Sequence, residues 1–237
     1  MPAVESINKN TVRYPLKIYV FDNSSSDGTV LKIRRSGLAK VIPLEKNKGF
    51  GAGHNEILNY DIGKYHFVVN PDITVEDDVI SDMVDFMEQN PDIVMCMPKI
   101  LNKDGSEQKL PKEIPTAKRL FLGRLAPLGG PFMKIRSEYI WENRDITEPA
   151  DINFCSGCFF CIRSEVFKKL NGFDERFFMY LEDADITLRA KKFGRVVIAP
   201  QFSVVHEWKR ESTKSLKYLL IHTSSALKFL RKRKKEK

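Results

Sequence analysis

The chain has 237 residues, 42% hydrophobic and 11% aromatic, which excludes wholesale disorder and suffices for one large domain or two small ones. Charged residues make up 30% and apolar runs stop after a handful of positions, so neither a bilayer-spanning segment nor a secretory leader is expected. Of the net charge of +8, residues 228–237 hold +6 (seven Lys/Arg and one Glu), leaving +2 for the body and no reason to expect a nucleic-acid groove.

In chain order, residues 16–21 read as a strand ending at Asp22, and residues 40–44 as a second. Residues 65–70 read as a third, closing on Asn70-Pro71-Asp72, and residues 92–100 as a fourth. Residues 53–60 and 77–88 have helical character, with Val79, Met83, Phe86 and Met87 on one face. This alternation predicts an α/β fold whose sheet is mostly parallel and covered by helices. From 101 to 151 Pro, Gly and charges dominate, and a long irregular region is expected to be functional or mobile.

Residues 153–162 read as a buried strand. Helices follow at 164–170, stopped by Asn171-Gly172, and at 182–193, ended by Gly194. Strands are expected at 196–199 and 203–208, and a last helix at 214–232, where Leu216, Leu220, Leu227 and Leu230 share a face among basic residues. Cys155, Cys158 and Cys161 have the spacing of metal ligands. The only other thiol is Cys96, in an apolar run, so reduced core thiols are the expectation.

Ligand sites in α/β folds lie beyond the carboxyl ends of parallel strands. Three polar clusters occupy such ends. Asp22-Asn23-Ser24-Ser25-Ser26-Asp27-Gly28 suits a base or ribose contact, or a capped turn. Asn47-Lys48-Gly49-Phe50-Gly51-Ala52-Gly53-His54-Asn55 lets backbone N–H groups approach a phosphate or sugar, as plain Gly-rich loops also do. Asp72 suits Mg²⁺ or Mn²⁺, or a Pro-led turn. A fourth cluster, Glu182-Asp183-Ala184-Asp185, suits a helix start. Its aromatic lead-in, Phe177-Phe178-Met179-Tyr180, suits a general base kept partly dry.

These clusters, with Ser156-Gly157 and Gly172-Phe173-Asp174-Glu175, resemble in order and spacing the family 2 glycosyltransferases, closest to their rhamnosyltransferase-like branch. The resemblance implies a GT-A, Rossmann-like fold: a mixed, mostly parallel sheet with helices on both faces, over residues 1–212, followed by a basic helix and tail over 213–237. It implies that Asp22, with Asn23 and Ser24, contacts the nucleotide, and that Asn47, Gly49, Phe50, Asn55 and Asn70 surround the ribose and diphosphate. Asp72 and His206 would hold a divalent cation (Mg²⁺ or Mn²⁺), and Asp183, beside Glu182, would be the catalytic base.

The implied reaction is inverting transfer of a sugar, rhamnose among the candidates, from a nucleotide-diphosphate donor to a lipid-linked or oligosaccharide acceptor in cell-surface polysaccharide synthesis. The setting expected is cytoplasmic, and the basic helix and tail suit either an anionic inner membrane face or a helix packed on the domain with a solvated basic end. The family's opening strand has no counterpart here, and residues 3–11 match the end of the helix that follows it. A non-catalytic remnant or subunit of the same fold, binding a glycan or a partner enzyme, is the alternative reading.

Overall fold

The computed structural model describes residues 2–207 and 216–235. Helix α1 (Pro2–Asn10) buries Ala3, Val4 and Ile7 on one face, and Asn10 Nδ2 pins its end to the Val75 carbonyl at 2.8 Å. Strands β1 (Tyr19–Asp22) and β2 (Lys40–Pro43) flank α2 (Thr29–Ser36) and pair in parallel as a sheet of their own. Then come α3 (Phe50–Asn55), a 3-10 turn (Glu56–Asn59), β3 (Tyr65–Val69), β4 (Ile73–Thr74), α4 (Val79–Gln89) and β5 (Ile93–Leu101). Next are α5 (Ala117–Phe121), a 3-10 segment (Leu122–Leu128), α6 (Gly130–Ile140), β6 (Ala150–Asp151), β7 (Phe159–Arg163) and α7 (Ser164–Lys169). The chain continues through α8 (Glu182–Ala190) and β8 (Arg195–His206) to α9 (Leu216–Lys235).

The fold is α/β with a mixed sheet, as expected, but the sheet is not mostly parallel. In the order β3-β7-β5-β8-β4, with β6 also on β8, only β5–β8 is a parallel pair. Two of the four antiparallel pairs come from β7, which returns from the long excursion after β5 and inserts between β3 and β5, and the other two from the short strands β4 and β6 on β8. Apolar runs mark where strands are; their direction is set by the connection and is not written in the run.

Strand β5 is buried along almost its whole length, as a continuous apolar run requires. Pro98 offers no N–H to the ladder, and the register slips there: Pro98 faces Ala199, whereas Lys99 faces Ser203. The bulge joins the two short expected strands into β8. Trp208, Lys214 and the expected boundary at 212/213 lie outside the described residues.

The stretch expected to be irregular holds α5, the 3-10 segment and α6. Its helical pattern is interrupted by Pro127 and by Gly129-Gly130, both left-handed at φ 76 and 56, while Pro131 sits in the first turn of α6, where a missing N–H costs nothing. All four cysteines are free and buried. Burial pushes the Cys158 thiol up to about 12 and those of Cys155 and Cys161 well above their usual value, so they are protonated packing groups. In α9, Leu216, Leu220 and Leu227 turn outward while Leu230 packs against the Ala226–Phe229 cluster, and Ser225, Ala226 and Phe229 are the buried residues. No helix among the described residues is long and apolar enough to cross a membrane.

Candidate active site

Asp22 closes β1 and is buried. Its Oδ2 accepts from the Ser25 N–H at 3.0 Å, making the turn that leaves Ser24 exposed and left-handed at φ 68. Asn23 joins the first cluster to the second: its Nδ2 donates to the Gly49 carbonyl at 3.1 Å and its Oδ1 accepts from the Lys48 N–H at 3.2 Å. Asn47 Oδ1 accepts from the Gly49 N–H at 2.9 Å. The glycine-rich loop is thus shaped by two asparagine side chains.

That loop lies against the fourth cluster. The Phe50 N–H donates to the Phe178 carbonyl at 2.9 Å. Gly49 has φ 91, and a Cβ there would stand 2.2 Å from that same oxygen, so only glycine fits. A Cβ on Gly157 would meet the Phe50 ring at 3.2 Å and Asp183 Cβ at 3.4 Å. The Gly157 N–H donates to Asp183 Oδ2 at 3.0 Å, and the next residue, Cys158, accepts from the Asn70 N–H at 2.8 Å. Residues 157–158 are the meeting point of the second, third and fourth clusters.

Asn55 does not belong to the ligand-facing set. Its amide is buried and spent on the Phe173 N–H (2.8 Å), the Phe173 carbonyl (2.9 Å) and Glu175 Oε1 (3.0 Å). It staples α3 to the 172–175 turn, leaving no donor for a nucleotide.

Asp72 and His206 face each other across the β4–β8 pair, with His206 Nε2 3.2 Å from Asp72 Oδ1. Gln108 fixes the ring: its Nε2 donates to the His206 carbonyl at 2.8 Å, and its Oε1 lies 3.1 Å from His206 Nδ1. With the amide so oriented, Nδ1 donates to Gln108 Oε1 and Nε2 is the ring atom that faces the carboxylate. Two electron-rich atoms this close suit a shared cation. Among the described residues no group of three His, Cys, Asp or Glu side chains could hold one, so further ligands would come from a bound phosphate.

Asp183 is half-buried, and Glu182 is 5% exposed. Asp183 Oδ1 accepts from the Ala184 N–H at 2.9 Å, complementing the Gly157 bond to Oδ2. Burial raises the Asp183 pKa against the pull of those two N–H groups. Glu182 is raised by burial first and then by the Asp183 charge. Glu182 Oε2 has no hydrogen-bond partner among the described residues. The pair therefore divides: Asp183 is the open, oriented carboxylate, and Glu182 is an inward-facing acid kept protonated.

The lead-in is strained, with Tyr180 and Leu181 left-handed at φ 73 and 67. Helix α9 holds it down. Ser225 Oγ donates to the Met179 carbonyl at 2.8 Å, and Lys232 Nζ bridges Asp174 (2.8 Å) and Asp185 (2.5 Å). Arg176 and Lys232 hold the Asp174 carboxyl well below the usual carboxylate range. All three bridged side chains are at most 15% exposed, so Lys232→Met is expected to cost about 3 kcal/mol by leaving two carboxylates short of a cation. Thermal melting at low and high salt checks this: a loss that high salt erases would mean a surface ion pair instead. A cleft of about 290 Å³ lined by Asn55, Phe173, Asp174, Glu175, Arg189 and Lys232 is walled by this ion-pair network and includes none of Asp22, Asp72 and Asp183.

Sequence reasoning missed Gln108, Gly157 as an anchor and Lys232. Gln108 and Lys232 lie in segments without a motif. Gly157 belonged to a matching motif, but nothing local to it predicts a bond to a carboxylate 26 residues away.

Known proteins resemble this chain in sequence and in fold. The family model described as "Glycosyl transferase family 2" matches residues 2–171. An N-acetylglucosaminyl-diphospho-decaprenol L-rhamnosyltransferase of Mycobacterium tuberculosis is 28% identical over 233 residues, covering 91% of this chain and 75% of its own. Rhamnosyltransferase WbbL of Escherichia coli K12 is 26% identical over 214 residues, covering 86% and 76%.

Among solved structures, GalNAc-T7 with UDP, GalNAc and Mn²⁺ superposes with a TM-score of 0.63 at 18% identity, over 88% of this chain and 41% of that one. Mannosyltransferase PcManGT from Pyrobaculum calidifontis with GDP-Man and Mn²⁺ gives 0.60 at 15%, over 95% and 59%. This chain spans less than two thirds of either solved chain, and at these identities the likeness speaks for the fold alone, which is GT-A.

Proposed function

The chain belongs to glycosyltransferase family 2, and we propose that it transfers a sugar, L-rhamnose by analogy with its relatives, from a nucleotide-diphosphate donor to a lipid-linked acceptor, with inversion. The observation that carries this reading is the convergence on residues 157–158: the donor loop through Phe50, the Asn70–Asp72 turn through Asn70, and the base through Asp183. Asp183 takes the proton from the acceptor hydroxyl as it attacks the anomeric carbon, and the nucleoside diphosphate leaves. Asp22 and the backbone of residues 47–50 hold the nucleotide, with Asn23 and Asn47 shaping that backbone. Asp72 and His206 would hold a divalent cation, Mg²⁺ or Mn²⁺, whose charge offsets that of the departing diphosphate. The reading places the protein on the cytoplasmic face of a membrane, where a lipid-linked acceptor is reached and cell-surface polysaccharide is built.

Asp72→Ala is expected to weaken binding of a nucleoside diphosphate in the presence of Mn²⁺ by about 100-fold, and chelation of the metal should do the same to the wild type but add nothing to the variant. Titration calorimetry reads both. Equal affinity with and without metal would remove Asp72 and His206 from this role. No binding even at about millimolar nucleotide would favour the non-catalytic alternative.

A further inference from the structure

We propose that the outer surface of residues 117–134, together with the first turns of α9, seats the protein on an anionic lipid bilayer. This deepens the lipid-linked-acceptor reading and rests on it. A helical segment packed on a domain is normally apolar inside and polar outside. Here the inner side is apolar, with Leu120 in a cluster with Leu181, Ala184, Ala226 and Phe229, but the outer side is apolar too. Leu128 is 74% exposed, Met133 54% and Leu220 63%, with Leu122, Leu125 and Leu219 also exposed. Contiguous outward leucine of this kind marks an interaction surface.

The two parts adjoin. Leu120 of α5 packs in one cluster with Ala226 and Phe229 of α9, and burial together with the charge of Arg124 in the 3-10 segment lowers the pKa of His222 of α9 to about 4.

The charges around this surface identify the partner. Residues 117–137 carry Lys118, Arg119, Arg124, Lys134 and Arg136 and no Asp or Glu, and residues 216–235 are likewise free of acid. Leucine and methionine side chains set among these cations suit insertion at the headgroup level, with lipid phosphates taking the charge. A second copy of this chain would bring cation against cation. Nucleic acid would call for aromatic platforms rather than protruding leucines. The surface is also well placed: Leu181 and Ala184, on either side of the Glu182–Asp183 pair, lie in the cluster directly beneath it.

The test is co-sedimentation of the full chain with vesicles of phosphatidylglycerol or of phosphatidylcholine. The wild type should bind the anionic vesicles and release in about 0.5 M salt. Leu125→Ser, Leu128→Ser and Met133→Ser combined should weaken binding at least about tenfold with unchanged melting, because all three side chains are exposed. Arg124→Gln, Lys134→Gln and Arg136→Gln combined should lose the preference for anionic lipid. Wild-type binding by the leucine variant, or equal binding to both lipids by the wild type, overturns the proposal. So does complete loss on deleting residues 231–237 alone, which would make the tail the anchor. Vesicle binding without sugar transfer to any lipid-linked acceptor would leave the seat standing and defeat the enzymatic reading instead.

Discussion

Asp183→Asn is expected to lower kcat by about 1,000-fold while a nucleoside diphosphate binds with wild-type affinity. The carboxylate is fixed by the N–H groups of Gly157 and Ala184, so its orientation does not depend on substrate. Its pKa is raised by burial, so its basicity is closer to that of a group working near neutrality. An amide keeps the shape and cannot take a proton. It also turns an NH₂ toward one of the two backbone N–H groups, which costs about 1 kcal/mol and about 2–4 °C of melting temperature.

The pH dependence has a definite sign. If Asp183 is the base, as proposed, its protonated form is inactive, so activity falls as pH drops through its pKa, and the raised value sets this acid limb above the ordinary carboxylate range. The limb should vanish in the variant. Glu182→Gln, in contrast, should retain most of kcat, because Glu182 is already held protonated by burial and by its neighbour. Steady-state kinetics over pH with nucleotide calorimetry reads all of this. Turnover by Asp183→Asn within about tenfold of wild type, in a folded protein, would take the base role from Asp183.

The strands and the site loops at their ends were legible because burial and turn chemistry leave local marks. The runs that became β3 and β5 are apolar, and the loops after β1 and β3 are marked by Asp, Asn, Gly and Pro. What depends on distant partners was not legible. The direction of β7 is set by two neighbours that precede it by about 60 to 90 residues. The helices of residues 117–140 were hidden by Pro127 and the Gly-Gly-Pro junction, although these only divide one helical segment from the next.

Asn55 looks the same in sequence whether its amide meets a ribose or a backbone, and burial between α3 and the 172–175 turn decided for the backbone. Asp72 and His206, 134 positions apart, were grouped by resemblance, and the structure brings them within 3.2 Å of each other. The structure adds Gln108, which turns Nε2 of the imidazole toward the carboxylate.

Gly49→Ala is expected to be the most damaging of the glycine substitutions that touch the donor loop, and three glycines separate its causes. Gly63 has open space around it and no special backbone conformation, so Gly63→Ala should be close to neutral. Gly28 has φ 77 and nothing within 4 Å of a built Cβ, so Gly28→Ala carries the backbone cost alone, about 1–2 kcal/mol. Gly49 adds to φ 91 a Cβ placed 2.2 Å from the Phe178 carbonyl oxygen, an atom already held by the Phe50 N–H.

The donor loop and the segment leading to Asp183 cannot both keep their positions once that methyl is present. A total of about 3–4 kcal/mol follows, or roughly 6–16 °C of melting temperature for a chain of this size. If the protein relieves the clash by parting the two segments, part of the stability returns and the loss appears in nucleotide affinity and kcat together, because one junction positions both. Melting curves and nucleotide calorimetry on the three variants distinguish these outcomes. Gly49→Ala behaving like Gly28→Ala in both measurements would mean that the contact between donor loop and catalytic segment does not exist in solution.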